Sequence, residues 1–432
     1  MPIPHPCYPV PVVEVFDRVL QAARQLGASD VLLKAGQPPI FRIKGDLRTI
    51  QNVPPLSRDV IATFAHNIMN PRQREEFDTK FECDLAYSTP DGVRYRINAF
   101  HQRGNVGMVL RVIPPDIPPF ETLGLPQVLL KLAEEPRGLV LVTGVTGSGK
   151  STTMAAMIDH INARRAGHIV TVEDPIEYVF RDKRCVVTQR EIGLDTLSFS
   201  RALRAALRQN PDAIFVGEMR DVETCEIALV AAETGHLVLS TLHTVDAVET
   251  INRVIGIFPP HQQMQVRLQL ASILKGIVSQ RLVPRADGNG MVPAVEVMVG
   301  TGRVRELIED PQRTSQLRDA IAQGREPYGM IGFDQSLTEL VLSKQVTYAD
   351  AVRYSTNPDD FALYFRGVSQ STDVDWNRNK RPAPSAAAPA APTAARKPTD
   401  APPGRKAPAA PADPAVAAAP GEAEGWMERF QK

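Results

Sequence analysis

Residues 144–151, Gly-Val-Thr-Gly-Ser-Gly-Lys-Ser, have the types and spacing of a phosphate-binding loop. An apolar run at 139–142 precedes them and a helical pattern follows. The glycines let backbone N–H groups turn toward an anion, and the start of the helix adds its positive end. Lys150 is expected to reach the β- and γ-phosphates, and the Ser151 hydroxyl to ligate Mg²⁺. The predicted nucleotide-binding residues are Gly144, Val145, Thr146, Gly147, Ser148, Gly149, Lys150, Ser151 and Thr152.

Acidic and histidine side chains follow three further predicted strands. They are Glu173, Asp174 and Glu177 after strand 169–172, Glu218 after 213–216, and His243 after 237–242. In an open α/β sheet, ligands bind outside the carboxyl ends of the strands, so all of these residues should share one edge. Carboxylates beside a phosphate-binding loop hold the Mg²⁺ shell or polarise the attacking water. A single glutamate near a turn is usually a solvated surface residue, but the shared edge predicts an active site.

Whether a residue precedes or follows a predicted strand decides which edge of the sheet it lies on, and this distinguishes candidate site residues from residues of the same type at the opposite edge. Asp212 precedes the strand that Glu218 follows, so it is predicted to be a turn residue after Pro211 at the opposite edge. His236 and His243 are separated by a strand, which at about 3.3 Å a residue puts them about 23 Å apart. His243 is predicted to contact phosphate or water. His236 is predicted to have a structural or subunit-interface role, with a hydrogen-bonded core histidine as the open alternative.

The elements that must position these residues alternate between strand and helix. The predicted strands are 139–142, 168–172, 185–188, 213–216 and 237–242, and the predicted helices are 152–162, 199–208 and 222–234. This alternation predicts an α/β domain with a mostly parallel sheet and crossover helices, over residues 127–368.

Two other regions flank this domain. Residues 12–112 are predicted to form a smaller mixed α+β domain, and the proline-dense linker 113–126 a stiff connector. Residues 369–432 are rich in alanine and proline and have too little large apolar surface to offset chain entropy, so they are predicted to be a disordered tail. Trp426 and Phe430 near its end suggest a docking peptide, with an inert terminus as the alternative.

Composition excludes several classes of protein. The 432 residues are 43% hydrophobic and 23% charged, with zero formal net charge, so bulk attraction to nucleic acid or anionic lipid is not expected. Cys7, Cys83, Cys185 and Cys225 are scattered, which favours reduced thiols in a cytoplasm over a disulfide framework or a zinc site. No stretch approaches the roughly 18 apolar residues of a membrane span, and membrane association is expected to run through a partner.

Several motifs together resemble the PilT/PilU family of pilus retraction ATPases, within the type II and type IV secretion ATPases. Besides the phosphate-binding loop they are Thr-Val-Glu-Asp-Pro-Ile-Glu at 171–177, Gln-Arg-Glu at 189–191, Val-Gly-Glu-Met-Arg-Asp at 216–221, and the stretch 232–244 with both histidines. The resemblance covers about residues 12–367. It implies a PAS-like N-terminal domain, a RecA-like ATPase domain and a homohexameric ring that uses ATP and Mg²⁺ to depolymerise a type IV pilus. It also implies a cytoplasmic protein, peripheral at the inner-membrane base of the pilus, that contacts a platform protein and, as a further partner, a sister retraction ATPase.

The resemblance assigns roles to individual residues. It implies that Glu177 is the catalytic carboxylate and that Glu218 is the Walker B acid, which holds Mg²⁺ through water. Arg96 and Arg111, with Arg94 as a weaker match, resemble N-domain arginines that reach a nucleotide across domains or subunits. Arg111 lies just before the connector, and an ordinary surface arginine remains the alternative.

One motif departs from the principal retraction motors. Residues 302–309 read Gly-Arg-Val-Arg-Glu-Leu-Ile-Glu where those motors carry Ala-Ile-Arg-Asn-Leu-Ile-Arg-Glu, and 102–111 and 193–196 are closer to the accessory branch. Principal and accessory motor both stay open.

Three other functions compete with retraction. A pilus-assembly or secretion ATPase would usually carry a four-cysteine zinc module, which the scattered cysteines disfavour. A RecA-like nucleic-acid motor would need a basic groove with interleaved aromatics, and aromatic residues make up only 6% of the chain. A ring subunit that binds nucleotide without hydrolysis is disfavoured because Lys150, Ser151, Glu177 and Glu218 occur together.

Overall fold

Two β-sheets organise the chain. The computed structural model describes residues 12–43, 45–50, 53–89, 92–113 and 116–367. The first sheet has six strands within the N-terminal region, and the second has seven strands and carries the phosphate-binding loop. The α/β class predicted from the sequence is confirmed.

The N-terminal domain packs three helices against an antiparallel sheet of order β3-β2-β1-β6-β5-β4. Its elements are α1 (Val12–Gln25), β1 (Asp30–Lys34), β2 (Ile40–Ile43), β3 (Asp46–Thr49), α2 (Arg58–Ile68), α3 (Pro71–Lys80), β4 (Glu82–Ser88), β5 (Arg94–Gln102) and β6 (Asn105–Ile113). Strand alternation sends Tyr95, Ile97 and Ala99 of β5 into the core. The arginines at 94 and 96 therefore lie on the opposite face of the sheet.

The ATPase domain has the sheet order β13-β12-β7-β11-β10-β8-β9. Its first elements are α4 (Val128–Ala133), β7 (Gly138–Thr143), α5 (Lys150–Arg164), β8 (Gly167–Glu173), β9 (Cys185–Glu191), α6 (Phe199–Ala206), β10 (Ala213–Val216), α7 (Val222–Glu233) and β11 (Leu237–Leu242). The remaining strands are β12 (Leu274–Pro284) and β13 (Met291–Val299), and every neighbouring pair is parallel except β12 with β13. Strands β7, β10 and β11 are buried along their whole length, as expected for parallel strands covered by helices on both faces.

The helices after β11 complete the domain. They are α8 (Ala247–Gly256), α9 (Pro260–Ile273), α10 (Gly302–Glu309), α11 (Leu317–Gln323), α12 (Arg325–Tyr328), α13 (Phe333–Leu342), α14 (Tyr348–Tyr354) and α15 (Pro358–Phe365). Phe361 of α15 is buried in a cluster with Val283 of β12 and Val292 of β13, so the last described helix lies at the β13 side of the sheet.

The boundaries of the predicted elements shift where glycines and packing intervene. Strands 213–216 and 237–242 match β10 and β11, whereas the helix predicted from 152 begins at Lys150 because Gly149, with φ 89°, ends the loop directly before it. The second half of the predicted linker is not free of structure, since Phe120 and Leu125 are buried in the ATPase core. The two domains are therefore joined by a shorter segment than the proline pattern indicates.

Some sequence-based predictions concern residues beyond this description. The predicted tail 369–432 with its docking peptide, and Cys7, lie outside the described residues. Cys83, Cys185 and Cys225 are buried free thiols, and burial raises the pKa of Cys83 to about 11 and that of Cys225 to about 12. None of the helices within the described ranges has the length and hydropathy needed to cross a bilayer.

Candidate active site

The phosphate-binding loop joins β7 to α5 and is shaped by glycines. Gly144 has a φ of 142°, and a Cβ added there would lie 2.4 Å from the backbone oxygen of Gln280. A Cβ on Gly149 would lie 2.7 Å from Gln280 Nε2. Side chains at these two positions would collide with β12, so the loop can adopt this curve only with glycine.

Lys150 lies over the loop that it follows. Its Nζ donates to the backbone oxygens of Gly144 at 2.7 Å and Val145 at 3.1 Å. Burial lowers the pKa of Lys150, and the carboxylates of Glu218 and Glu177 oppose that shift. The ammonium group is thus held where a phosphate would replace the two carbonyl oxygens as its partner.

The residues present fit a nucleotide phosphate. Ser148 Oγ is buried and has no hydrogen-bond partner within the described chain. Buried hydroxyls are nearly always hydrogen-bonded, so an unpaired one inside an anion-binding loop indicates a ligand oxygen as its partner. Ser151 is the second residue of α5 and is only partly buried, in a position open to a metal–phosphate complex.

Sequence reasoning missed Gln280 of β12. Its side chain is 3% exposed, Oε1 accepts a hydrogen bond from Thr153 Oγ1 at 2.8 Å, and its amide nitrogen faces Gly149. These contacts tie the start of α5 to β12. No sequence signal gives this pairing, because it depends on β12 lying beside β7.

Glu218 lies beyond the end of β10, as predicted, and is held by two basic side chains. Its Oε2 is 2.7 Å from Arg220 Nη2 and 3.3 Å from His243 Nε2. Burial alone would raise its pKa, but the hydrogen bond from Arg220 and the nearby charge of His243 bring the pKa of Glu218 below its usual value. Glu218 is therefore a carboxylate at neutral pH, as a metal-shell acid must be.

Glu173 and Glu177 differ sharply in environment. Glu173 is buried, and its Oε1 accepts hydrogen bonds from Thr171 Oγ1 at 2.7 Å and Gln189 Nε2 at 3.2 Å. Glu177 is exposed, and its backbone N–H donates to Glu173 Oε2 at 3.4 Å. Glu173 thus anchors the loop, while the side chain of Glu177 is exposed to solvent.

Glu191 at the end of β9 joins this loop to the N-terminal domain. Its Oε2 accepts a hydrogen bond from the Ile176 backbone N–H at 3.0 Å and also contacts the Arg94 guanidinium. Glu191 is 3% exposed. The residue directly before Glu177 is therefore positioned by a carboxylate that an N-domain arginine also holds.

Two buried carboxyls should make stability depend on pH. Burial raises the pKa of Glu173 and of Glu296 to about 7; Glu296 accepts a hydrogen bond from the Ala247 N–H at 2.8 Å. Because the folded state holds these protons more tightly, the stability that they contribute is complete below pH of about 4.5 and is lost as pH rises through 7. The change should be on the order of 3 kcal/mol for each group.

Denaturant unfolding between pH 5 and 8 measures this effect. Glu173→Gln and Glu296→Gln should each flatten the decline toward pH 8, whereas Glu223→Gln, at an exposed ion pair with Arg204, should leave it unchanged. If the free energy of unfolding declines toward pH 8 as steeply in Glu173→Gln and Glu296→Gln as in the wild type, these two carboxyls are not the source of the pH dependence.

The two histidines lie at opposite ends of β11, as the strand reading predicts. His243 follows the strand and approaches Glu218. His236 precedes it, and its Nδ1 lies 3.0 Å from the backbone oxygen of Ala231. Asp212 is also at that far edge, where its Oδ2 accepts a hydrogen bond from the His168 N–H at 2.7 Å, so its placement as a turn residue is confirmed.

This geometry predicts unequal effects of the two histidines on hydrolysis. His243→Ala should lower ATP turnover by about 10- to 100-fold, because it removes a group that contacts Glu218 at the catalytic edge. His236→Ala should lower it far less. Steady-state phosphate release from both variants, with assembly verified, tests this. If both variants assemble normally and lose the same turnover, the position of a histidine before or after β11 does not decide whether it contributes to hydrolysis.

The predicted N-domain arginines do not contact the phosphate-binding loop of their own chain within the described residues. Arg111 has a side chain that is 68% exposed, and its Nε pairs with Asp30 Oδ1 at 3.1 Å. Arg96 is exposed and lies opposite Arg111 on the neighbouring strand. Arg94 is engaged by Glu191. Neither Arg96 nor Arg111 has a hydrogen bond or ion pair to residues 144–151 among the described residues.

The fold and this edge define a P-loop ATPase with a RecA-like catalytic domain. The family model for type II/IV secretion system proteins matches residues 9–361, and the chain belongs to that family. It is 44% identical to the type IV pilus retraction ATPase PilT of Pseudomonas aeruginosa over 349 residues, 81% of this chain and 100% of PilT. It is 41% identical to the type IV pilus ATPase PilU of the same organism, over 83% of this chain and 93% of PilU.

The similarity extends to the three-dimensional fold. A crystal structure of the pilus retraction motor PilT with bound ADP superposes with a TM-score of 0.73 at 45% identity, over 79% of this chain and 97% of that one. The recognition of the PilT/PilU family from sequence motifs is confirmed, and so is a nucleotide-binding ATPase fold.

Proposed function

We propose that this protein is an ATP-hydrolysing motor that drives retraction of a type IV pilus. The observation that carries the proposal is the convergence of Lys150, Glu177, Glu218 and His243 at one sheet edge, in a chain that is similar to a pilus retraction ATPase along that protein's whole length. A nucleotide-binding ring subunit without hydrolysis would not need an ionised Glu218 and an exposed Glu177 beside the loop.

The chain's own residues divide the chemistry of hydrolysis. The backbone N–H groups of 144–152 and the Lys150 ammonium bind the phosphates. Ser151, and Glu218 through water, would hold Mg²⁺, which when bound neutralises phosphate charge. Glu177 orients the attacking water and accepts its proton. His243 contacts Glu218 and is placed to report the state of the phosphates.

The active site is completed by a neighbouring subunit in a homohexameric ring. Arg96 and Arg111 are exposed and lie opposite each other on the N-domain sheet, where Asp30 is the ion-pair partner of Arg111, so both side chains are accessible to a neighbouring subunit. An arginine supplied across an interface stabilises the charge of phosphoryl transfer. The ring is cytoplasmic, lies at the inner-membrane base of the pilus, and acts on a platform protein there. A sister retraction ATPase is a further partner.

The motif at 302–309, which departs from that of the principal retraction motors, forms the surface helix α10. In α10 the buried residues are Val304, Leu307 and Ile308, so the charged residues of the departing motif face outward. They are available to a partner and are not needed for the core. Both PilT and PilU are similar to this chain, and the proposal covers either kind of retraction motor.

Deletion of the gene in its own organism tests the direction of force. Hyperpiliated cells that do not twitch support retraction, and restoration by the wild-type gene but not by Lys150→Ala links the phenotype to hydrolysis. Bald cells would instead indicate an assembly ATPase. Normal piliation and motility would contradict a motor role in this pilus.

A further inference from the structure

We propose that an arginine-lined pocket between the two domains binds the acidic, aromatic segment 421–432 of this chain. The pocket has a volume of about 450 Å³, within the range of peptide side-chain and ligand sites. It lies at β9, the outermost strand of the ATPase sheet, and neither Lys150 nor Glu218 lines it.

Both domains contribute to the pocket, and basic side chains dominate it. Arg72 comes from α3 of the N-terminal domain, and Arg190, Arg201 and Arg208 come from β9 and from α6 and the turn after it. None of these four arginines has a carboxylate within 4 Å among the described residues. Arg204, on the same helix but outside the pocket, is paired with Glu223 at 2.6 Å. Arg190 Nη2 donates to the backbone oxygen of Asp195 at 3.1 Å and Arg208 Nη1 to that of Arg204 at 2.9 Å, so the pocket arginines have backbone partners but lack the carboxylate partner that Arg204 has.

Two observations indicate a missing anionic partner. Arg190 Nη1 is buried and has no hydrogen-bond partner within the described chain. The single acid that lines the pocket, Asp195, uses its Oδ2 to accept a hydrogen bond from the Glu191 N–H at 2.8 Å. Guanidinium groups bind carboxylates through paired hydrogen bonds, so carboxylates are the groups that this site would take.

Two exposed leucines at the rim of the pocket favour an occupant that also carries apolar groups. Leu194 is 44% exposed and Leu197 is 58% exposed, and both line the pocket. Large exposed apolar side chains beside a charged cavity are typical of a binding site for an amphipathic ligand. The occupant should carry several carboxylates next to large apolar groups.

Residues 421–432, Gly-Glu-Ala-Glu-Gly-Trp-Met-Glu-Arg-Phe-Gln-Lys, have this chemistry. They place Glu422, Glu424 and Glu428 around Trp426 and Phe430, in a region otherwise rich in alanine and proline. The other acidic and aromatic stretch, Asp-Val-Asp-Trp at 373–376, is followed at once by Arg378, Lys380 and Arg381. Residues 421–432 also contain Arg429 and Lys432, but their three glutamates leave a side-chain charge of −1, whereas residues 373–381 carry +1. The arginine-lined pocket therefore favours the terminal segment.

The intervening chain is long enough to reach the pocket. The 54 residues from 368 to 421 can span at most about 180 Å. The last described helix lies at the β13 side, and six strand spacings of about 4.8 Å separate β13 from β9, or about 29 Å. Docking there would join Arg72 of the N-terminal domain to the ATPase domain through one peptide.

Tryptophan fluorescence can test the docking in the full chain, because its two tryptophans, Trp376 and Trp426, both lie after residue 367. In a Trp376→Phe protein, Trp426 is the sole emitter. We expect its emission to be blue-shifted and less quenched by acrylamide than in the free peptide 421–432. Arg201→Gln with Arg208→Gln should weaken docking by about tenfold and shift the emission toward that of the peptide. Arg204→Gln is the matched control and should change nothing.

A charge exchange guards against loss of folding in the variants. Arg201→Glu with Arg208→Glu should abolish the protected emission, and adding Glu422→Arg with Glu424→Arg should restore it. Rising salt should weaken docking in the wild type. The proposal is overturned if Trp426 emits like the free peptide in every variant. It is also overturned if, in a Trp426→Phe protein, Trp376 responds to the pocket substitutions instead.

Discussion

Lys150→Ala is expected to abolish ATP turnover. The ammonium group is the only lysine charge placed at the phosphate-binding loop by the described residues, and it is already held there by Gly144 and Val145 oxygens. Without it, the developing negative charge on the transferred phosphate loses its nearest cation, and turnover should fall by at least about four orders of magnitude. Phosphate release by the assembled protein measures the loss.

The control must separate chemistry from folding. Lys150→Met keeps the length of the side chain without its charge, and should be as inactive as the alanine variant. Lys131→Ala, at an exposed position on α4, should be fully active. Turnover within tenfold of wild type in Lys150→Met would show that the loop binds nucleotide in another way.

The second large effect is expected from mixing two inactive subunits. Arg111→Ala alone and Glu218→Ala alone should each lower turnover by two to four orders of magnitude. If Arg111 serves a neighbouring subunit, a mixed ring brings the intact loop of the first variant to the intact arginine of the second. ATP hydrolysis should then recover in part. The side chain of Arg111 is 68% exposed, which supports this trans arrangement.

Two checks make the mixing experiment decisive. Rings must be shown to contain both chains, since separate homomeric rings would give no recovery for a trivial reason. Mixing Lys150→Ala with Glu218→Ala should give no recovery, because both changes damage the same site. If verified mixed rings of Arg111→Ala and Glu218→Ala stay inactive while Arg111→Ala rings assemble normally, Arg111 acts in its own chain or outside the site.

The ends of β7, β10 and β11 could be predicted from the sequence because these strands are buried along their whole length. Apolar runs such as 213–216 and 237–242 have sharp polar ends, and those ends mark the strand termini where ligands bind. The strand β3, by contrast, is exposed at every residue and gives no hydrophobic pattern. Pro293 interrupts the pattern of β13, and it is tolerated there because β13 is an edge strand.

The supporting contacts could not be predicted in the same way. Gln280 meets Thr153 across 127 residues, and Glu191 meets Arg94 across 97. Each contact depends on which strands and domains are neighbours, and residue type alone does not give that information. The sequence contains Gln280 and Glu191, but it does not give their partners.

The position of Glu191 links the loop that carries Glu177 to the N-terminal domain. One buried carboxylate holds both the loop that carries Glu177 and an arginine of the other domain. A force that moves the N-terminal domain away from the ATPase domain would break the contact between Arg94 and Glu191. The Ile176 N–H would then be the remaining partner of Glu191 Oε2. The position of the loop would shift, and the orientation of the Glu177 side chain toward the attacking water would change with it. A mechanical load on the N-terminal domain would in this way alter the rate of ATP hydrolysis.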